Sequence, residues 1–178
     1  MKILFLGDVV GRSGRNALCK HLRDLKRIWK IDFVVANAEN ATGGAGLNID
    51  HAKQLLEHGV DCITLGDHAF DHSEMLSFVG QESRILRPVN FAKAAPGKGF
   101  RIFSLPNGKR VMVIQLLGQV FMKKNFSDPF SAIDRILKDF KLIRDADAIV
   151  VDIHAEATSE KMALAHFCDG RISLAIGT

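Results

Sequence analysis

Long apolar runs, paired cysteines and blocks of like charge are all missing from this 178-residue chain, and each absence closes off a class of protein. No apolar stretch approaches the roughly 20 residues that a membrane-spanning helix needs. The opening run Ile3–Leu6 is too short for a secretory signal, and Gly7 and Asp8 follow it with no small-residue cleavage site. Cys19, Cys62 and Cys168 lie far apart and form no CxxC. They suit buried packing in a reducing cytoplasm rather than a disulfide framework or a structural zinc. No run of five basic residues occurs, and the net charge of +4 is dispersed. Neither a membrane nor DNA is therefore an expected partner. Repeats, low-complexity stretches and linker-like segments are absent too. What remains, 47% hydrophobic and 25% charged residues, is ordinary globular composition. A single domain over residues 1–178 is expected.

Apolar runs alternate with helical patterns along the chain. Strands are expected at Lys2–Leu6, Asp32–Ala36, Cys62–Leu65, Arg101–Leu105, Val111–Gln115, Ala148–Ile153 and Ile172–Ile176. Helices are expected at Arg15–Trp29, Asp50–His58, Asp71–Val79, Asp128–Ile143 and Ser159–Phe167. Several strands are continuous apolar runs, as strands covered on both faces are. The pattern predicts an α/β layered domain with a mostly parallel sheet. Arg101–Leu105 and Val111–Gln115, joined across Asn107-Gly108, read instead as a hairpin. Pro88 to Gly99 reads as a loop.

Polar clusters follow four of these strands, where α/β domains place their chemistry. Gly7-Asp8-Val9-Val10-Gly11 offers a carboxylate that could ligate metal or cap a helix; it is neither GxGxxG nor a P-loop. Asn37-Ala38-Glu39-Asn40-Ala41 supplies a carboxylate and an amide oxygen, both hard ligands, and Thr42-Gly43-Gly44-Ala45-Gly46 would let backbone approach a phosphate. Gly66-Asp67-His68 pairs a ligand with a proton donor, whereas Asp71 reads as a helix cap and His72 as part of a solvated first turn. His154 ends the strongest strand; Thr158 or Ser159 would cap the next helix, with Glu160 complementing its dipole. Asp8, Glu39, Asn40, Asp67 and His154 together make a mixed oxygen and nitrogen set suited to Mn, Fe or Zn at a bridged two-metal site. His21, His51, His58 and His166 receive no role, and Lys161 and Arg171 read as solvated faces.

These clusters, with Arg87-Pro88-Val89-Asn90-Phe91, Pro96-Gly97-Lys98-Gly99 and the run His154 to Lys161, resemble the YmdB-like bacterial metallophosphoesterases of the calcineurin-like superfamily. The resemblance implies a layered α/β/β/α sandwich and a dinuclear, commonly di-iron, phosphodiesterase of cyclic nucleotides. It makes Asp8, Glu39, Asn40, Asp67 and His154 metal ligands, with Glu39 bridging, and His68 the donor of a proton to the leaving oxygen as metal-activated hydroxide attacks phosphorus. Two departures stand out. The family has Gly-Asn-His where this chain has Gly66-Asp67-His68, which adds a negative charge. The family also continues past a Gly-Thr pair into a His-x-His pair of ligands, whereas this sequence stops at Gly177-Thr178. The expectation is thus a C-terminally truncated domain. It acts either on a small-molecule phosphodiester or, without those ligands, as an inactive remnant or partner-binding module. The uncovered Ile172–Ile176 edge would allow a homo-oligomer.

Overall fold

A computed structural model describes residues 1–178, and the chain divides into two compact units, Met1–Leu86 and Arg87–Thr178. The fold is mixed α/β, with two four-stranded sheets and five helices.

In the first unit, β1 (Ile3–Leu6), β2 (Phe33–Asn37), β3 (Cys62–Thr64) and β4 (Ile85–Leu86) form a parallel sheet in that order. β2 is buried along its whole length, which explains its unbroken apolar sequence, whereas the edge strand β1 is half-buried throughout. The crossovers are α1 (Gly11–Trp29), α2 (Ile49–Glu57) and α3 (Met75–Gln81). α1 buries Arg15, Leu18 and Leu22, a spacing of three and four residues that lines one helical face. It starts four residues earlier than the sequence pattern indicated and stops at Lys30, whose left-handed backbone (φ 52°) turns the chain back toward β2. β4, only two residues long, was not anticipated.

The second unit orders β5 (Phe100–Ser104), β6 (Arg110–Leu117), β7 (Ala148–His154) and β8 (Leu174–Gly177) in chain order. β5 and β6 form the expected antiparallel hairpin, turned at Gly108 (φ 78°), while β6, β7 and β8 run parallel. α4 (Pro129–Asp139) and α5 (Thr158–Phe167) supply Ile133, Leu137 and Leu164 to a core with Ile114, Leu116 and Val151. Asp128 caps α4 by accepting from the Phe130 and Ser131 amides at 3.1 and 3.0 Å, with Pro129 next in line.

Two local expectations are corrected. α4 ends at Asp139 rather than Ile143: Phe140 is extended and sets its ring edge-on to Phe100 at 5.3 Å, and Ile143 is left-handed (φ 72°) and exposed. The α5 cap is Ala157, not Thr158 or Ser159, and no side chain caps it. Glu160 lies in the first turn of α5, where it complements the helix dipole as expected, and it is also buried, its carboxylate accepting from the Gln119 and Val120 amides at 2.8 and 3.2 Å.

The segment from Pro88 to Gly99 is irregular, as expected, yet firmly held. The buried Arg87 guanidinium donates to Pro88 O at 2.7 Å, Pro96 O at 3.3 Å and Ala95 O at 3.2 Å. Burial works against its charge, lowering its pKa, and the ring of carbonyls offsets that cost. Asn90 donates to Leu117 O and Ser127 O and accepts from the Leu117 amide, spending its whole amide on backbone.

Candidate metal centre

The candidate ligands of the first unit all sit just past the carboxyl ends of parallel strands. A strand covered on both faces carries apolar residues until it leaves the sheet, so polar chemistry concentrates where it ends. Asp8 lies two residues beyond β1 in a left-handed conformation (φ 50°) that a non-glycine residue adopts only at a cost. It does not cap α1, whose N-cap is Val10. Its Oδ1 accepts from Asn40 Nδ2 at 2.8 Å. That bond fixes the Asn40 amide, directing Nδ2 at Asp8 and presenting Oδ1 as the atom able to meet a cation.

Glu39 is 1% exposed and follows β2 by two residues. A Cβ built on Gly66 would overlap its carboxylate, so only glycine at that point, itself at φ 52°, lets Glu39 occupy its place. The 66–68 turn and the Glu39 carboxylate are therefore built around one another, a reason for Gly66 that the sequence did not reveal. Backbone bonds brace the arrangement: the Val9 amide donates to Asn37 O and the Gly11 amide to Asn40 O, both at 2.9 Å. Arg15, buried on α1, donates to Ala41 O.

Asp67 and His68 occupy a single 3₁₀ turn, Gly66–His68, directly after β3. His68 Nε2 lies 3.6 Å from Asp67 Oδ1, and Nδ1 meets Asp71 Oδ2 at 2.5 Å. Asp71 is thus no helix cap; α3 begins only at Met75, and the Asp71 carboxylate instead fixes the His68 ring. His72, read from sequence as solvated, is half-buried and sets Nε2 3.3 Å from Ala45 O, with its ring against Gly46. Gly43, Gly44 and Gly46 all have positive φ, and the loop closes on itself through the Thr42 amide and Gly46 O at 2.9 Å.

His154 belongs to the second unit, as the last residue of β7, half-buried, its carbonyl accepting from the Gly118 amide at 2.8 Å. Lys161 lies along Gly177 and Arg171 pairs with Asp134 at 2.9 Å while covering the Phe167 ring, so both are structurally engaged. The set Asp8, Glu39, Asn40 and Asp67 offers only oxygen atoms, which suits a hard or borderline divalent cation, and the Glu39 carboxylate at 1% exposure is costly to bury without compensating positive charge or donors. Asp71 and Gly66 are the positions shaping this candidate site that sequence reasoning missed; the short spacing from His68 to Asp71 was the available signal.

Comparison with known proteins adds an independent line. A family model described as YmdB-like protein matches residues 4–178. The 2′,3′-cyclic-nucleotide 2′-phosphodiesterase of Bacillus subtilis is 39% identical over 178 residues, covering all of this chain and 66% of that protein. A Mycoplasma genitalium protein designated a candidate phosphatase/phosphodiesterase is 37% identical over 183 residues, with 63% of its length covered. The chain thus spans about two thirds of the length of these curated relatives. Among solved structures, a hypothetical protein from Thermus thermophilus superposes with a TM-score of 0.91 at 43% identity, covering 100% of this chain and 67% of that one. A crystal structure described as a novel phosphatase of Mycoplasma pneumoniae gives 0.90 at 35% identity, with 63% of its chain covered.

Proposed function

The chain belongs to the YmdB-like protein family, and from that footing we propose that it works as a metal-dependent phosphodiesterase on small phosphodiesters such as cyclic nucleotides. The observation that carries this reading is the strand-end group of oxygen donors with His68 beside it, its ring held by Asp71 at 2.5 Å. The phosphodiesterase and phosphatase names of the relatives support the reaction class, and the Bacillus name supports a 2′,3′-cyclic nucleotide.

Asp8, Glu39, Asn40 and Asp67 would hold metal, with iron the expected metal and manganese or zinc as substitutes, and the family resemblance adds His154 as a ligand and a second metal ion. Glu39, Asp67 and His154 each offer a ligand atom of the kind such an ion takes. Bound there, the metals would supply Lewis-acid charge at the phosphoryl oxygens and make water nucleophilic near neutral pH. Asn40 contributes an oxygen whose direction its bond to Asp8 has already set. His68, with Nδ1 engaged by Asp71, delivers a proton from Nε2 to the leaving alkoxide. Asp71 keeps that ring from turning, so the donor meets the leaving oxygen without a search over rotamers. Gly43 and Gly44 leave the backbone bare where a phosphate would approach.

The test is metal analysis and turnover of the purified chain. Loaded with Fe or Mn, it should bind about two equivalents and cleave bis-p-nitrophenyl phosphate, and Asp8→Ala should lose both. Absence of bound metal with no hydrolysis would sink the reading. Metal bound without hydrolysis would favour the partner-binding alternative.

A further inference from the structure

The second unit contains a cleft of about 1060 Å³ that the phosphodiesterase reading leaves unused. Its charged lining is entirely basic. Lys93 and Lys98 reach it from the segment after Asn90, Arg101 from β5 and Arg135 from α4, and no carboxylate lines it. Arg87 also borders the cleft, but its guanidinium is spent on the carbonyls of Pro88, Ala95 and Pro96. Of the acids that adjoin lining residues in the chain, Asp128 is held by the first-turn amides of α4 and Asp134 pairs with Lys138 and Arg171. Lys93 and Lys98 are exposed and bound by no carboxylate, so their charge is available to a ligand, while the exposed Arg135 shares its charge with Asp128.

Three phenylalanines stand among the remaining lining residues. Phe91, Phe100 and Phe140 line the cleft and are half-buried. Phe91 stacks on Phe126 at 5.3 Å and Phe100 meets Phe140 edge-on at 5.3 Å, so each ring is fixed by a second ring rather than free to fold away. The floor is equally rigid. Gly99 permits backbone contact with Val89, where a Cβ would lie 2.5 Å from the Val89 Cα, and the Gln115 amide donates to Gly99 O at 3.0 Å.

A cleft whose charged lining is entirely basic, beside fixed phenyl faces, matches one ligand chemistry, a phosphorylated group joined to a flat base. We propose that this cleft binds a nucleotide carrying more than one phosphate, with the phosphates among Lys93, Lys98, Arg101 and Arg135 and the base against the phenylalanines. Four cations exceed what one phosphate would use, and the volume reaches the upper range of small-ligand sites, roughly 300–1,000 Å³. Arg135 of α4 joins the cluster from Lys93 to Arg101 only in the fold.

Isothermal titration of the full chain in EDTA with ADP, AMP, adenosine and pyrophosphate tests this. ADP is expected to bind, AMP about fivefold more weakly, and neither adenosine nor pyrophosphate should reach the ADP affinity. Lys98→Glu and Arg135→Glu, both at exposed positions, should each weaken ADP by about tenfold or more while leaving bis-p-nitrophenyl phosphate hydrolysis and the thermal midpoint unchanged. Asp8→Asn should bind ADP like the parent, so failure at this cleft and failure of the strand-end site are told apart. Equal affinity for pyrophosphate and ADP, unaltered ADP binding in both charge reversals, or lost ADP binding in Asp8→Asn would each overturn the proposal. So would binding of a short single-stranded RNA with none of ADP, which would mark a longer nucleic-acid ligand.

Discussion

Each unit buries one glutamate against a glycine, and the two pairs serve different ends. In the first unit Glu39 lies against Gly66 just past β3; in the second, Glu160 lies against Gly118 just past β6. Glu160 is fully accounted for by the protein, because the Gln119 and Val120 amides donate to it and α5 holds it in place. Glu39 sits among other oxygen donors at the ends of strands, next to a histidine held by a carboxylate. A buried carboxylate satisfied by backbone amides is a structural brace, whereas one gathered with further acids at strand ends is a candidate ligand.

The sharpest way to break this comparison is to fill both glycines. Gly66→Ala forces a Cβ into the Glu39 carboxylate at a left-handed backbone position, so it should cost about 3–4 kcal/mol and abolish metal binding. Gly118→Ala meets the Glu160 carboxylate and the Ala155 Cβ without the added left-handed strain, and should cost about 2 kcal/mol with metal content unchanged. Urea unfolding and metal analysis read both. Equal losses of metal would erase the distinction.

Next in size are the acids themselves. Glu39→Gln should lower hydrolysis about 100-fold or more while the metal-free chain unfolds near its original midpoint. Glu160→Gln should instead cost about 2–3 kcal/mol of stability with or without metal, because it weakens charge-assisted bonds to amides that stay in place. If Glu160→Gln destabilises only the metal-loaded form, its role as a brace is wrong.

Asp71→Asn refines the first member of the pair. The amide can keep one bond to His68 but not the charge, so kcat should fall about tenfold with KM and metal content little altered. A fall in metal content would make Asp71 part of the ligand set rather than a positioning residue.

The contrast also explains what could be read beforehand. Asp8, Glu39, Asn40, Asp67 and His154 were visible because each closes an apolar strand within a short contiguous motif, and the strands were visible because burial on both faces keeps them apolar. β4 was too short to leave a pattern. The end of α4 was hidden because Phe140, Leu142 and Ile143 continue an apolar rhythm, although Phe140 turns away to pack on Phe100. Asp71 was misread, and the bracing contacts of Glu160 were missed, for a shared reason: an acid near a helix start is usually a cap or a dipole partner, and only tertiary contacts show where its oxygens go. The basic cleft was illegible because Lys93 and Lys98 of one loop meet Arg101 of β5 and Arg135 of α4 only in the fold, and each alone looks like a solvated charge.

The smallest expected effect separates the units by pH. Burial, aided by the Arg15 guanidinium, lowers the His51 pKa below its ordinary 6.5, against the opposing pull of Asp50. Its Nδ1 lies 2.8 Å from Thr42 Oγ1, which also accepts from the Asn48 amide at 3.0 Å, an arrangement that suits a neutral ring accepting the hydroxyl proton. A histidine whose folded pKa is depressed contributes stability that is present above about pH 6.5 and is lost as pH falls through the folded value. In the second unit Asp147 is held low first by the Arg110 amide and then by Lys109, so its contribution persists until pH falls below about 4. Between about pH 7 and pH 5, hydrogen exchange should therefore quicken in the loop from Thr42 to Asn48 while the β5–β6 hairpin keeps its protection. His51→Gln, which retains an acceptor but cannot titrate, should flatten the first response without touching the second. An unchanged response in that variant would show that the loop's pH sensitivity comes from some group other than His51.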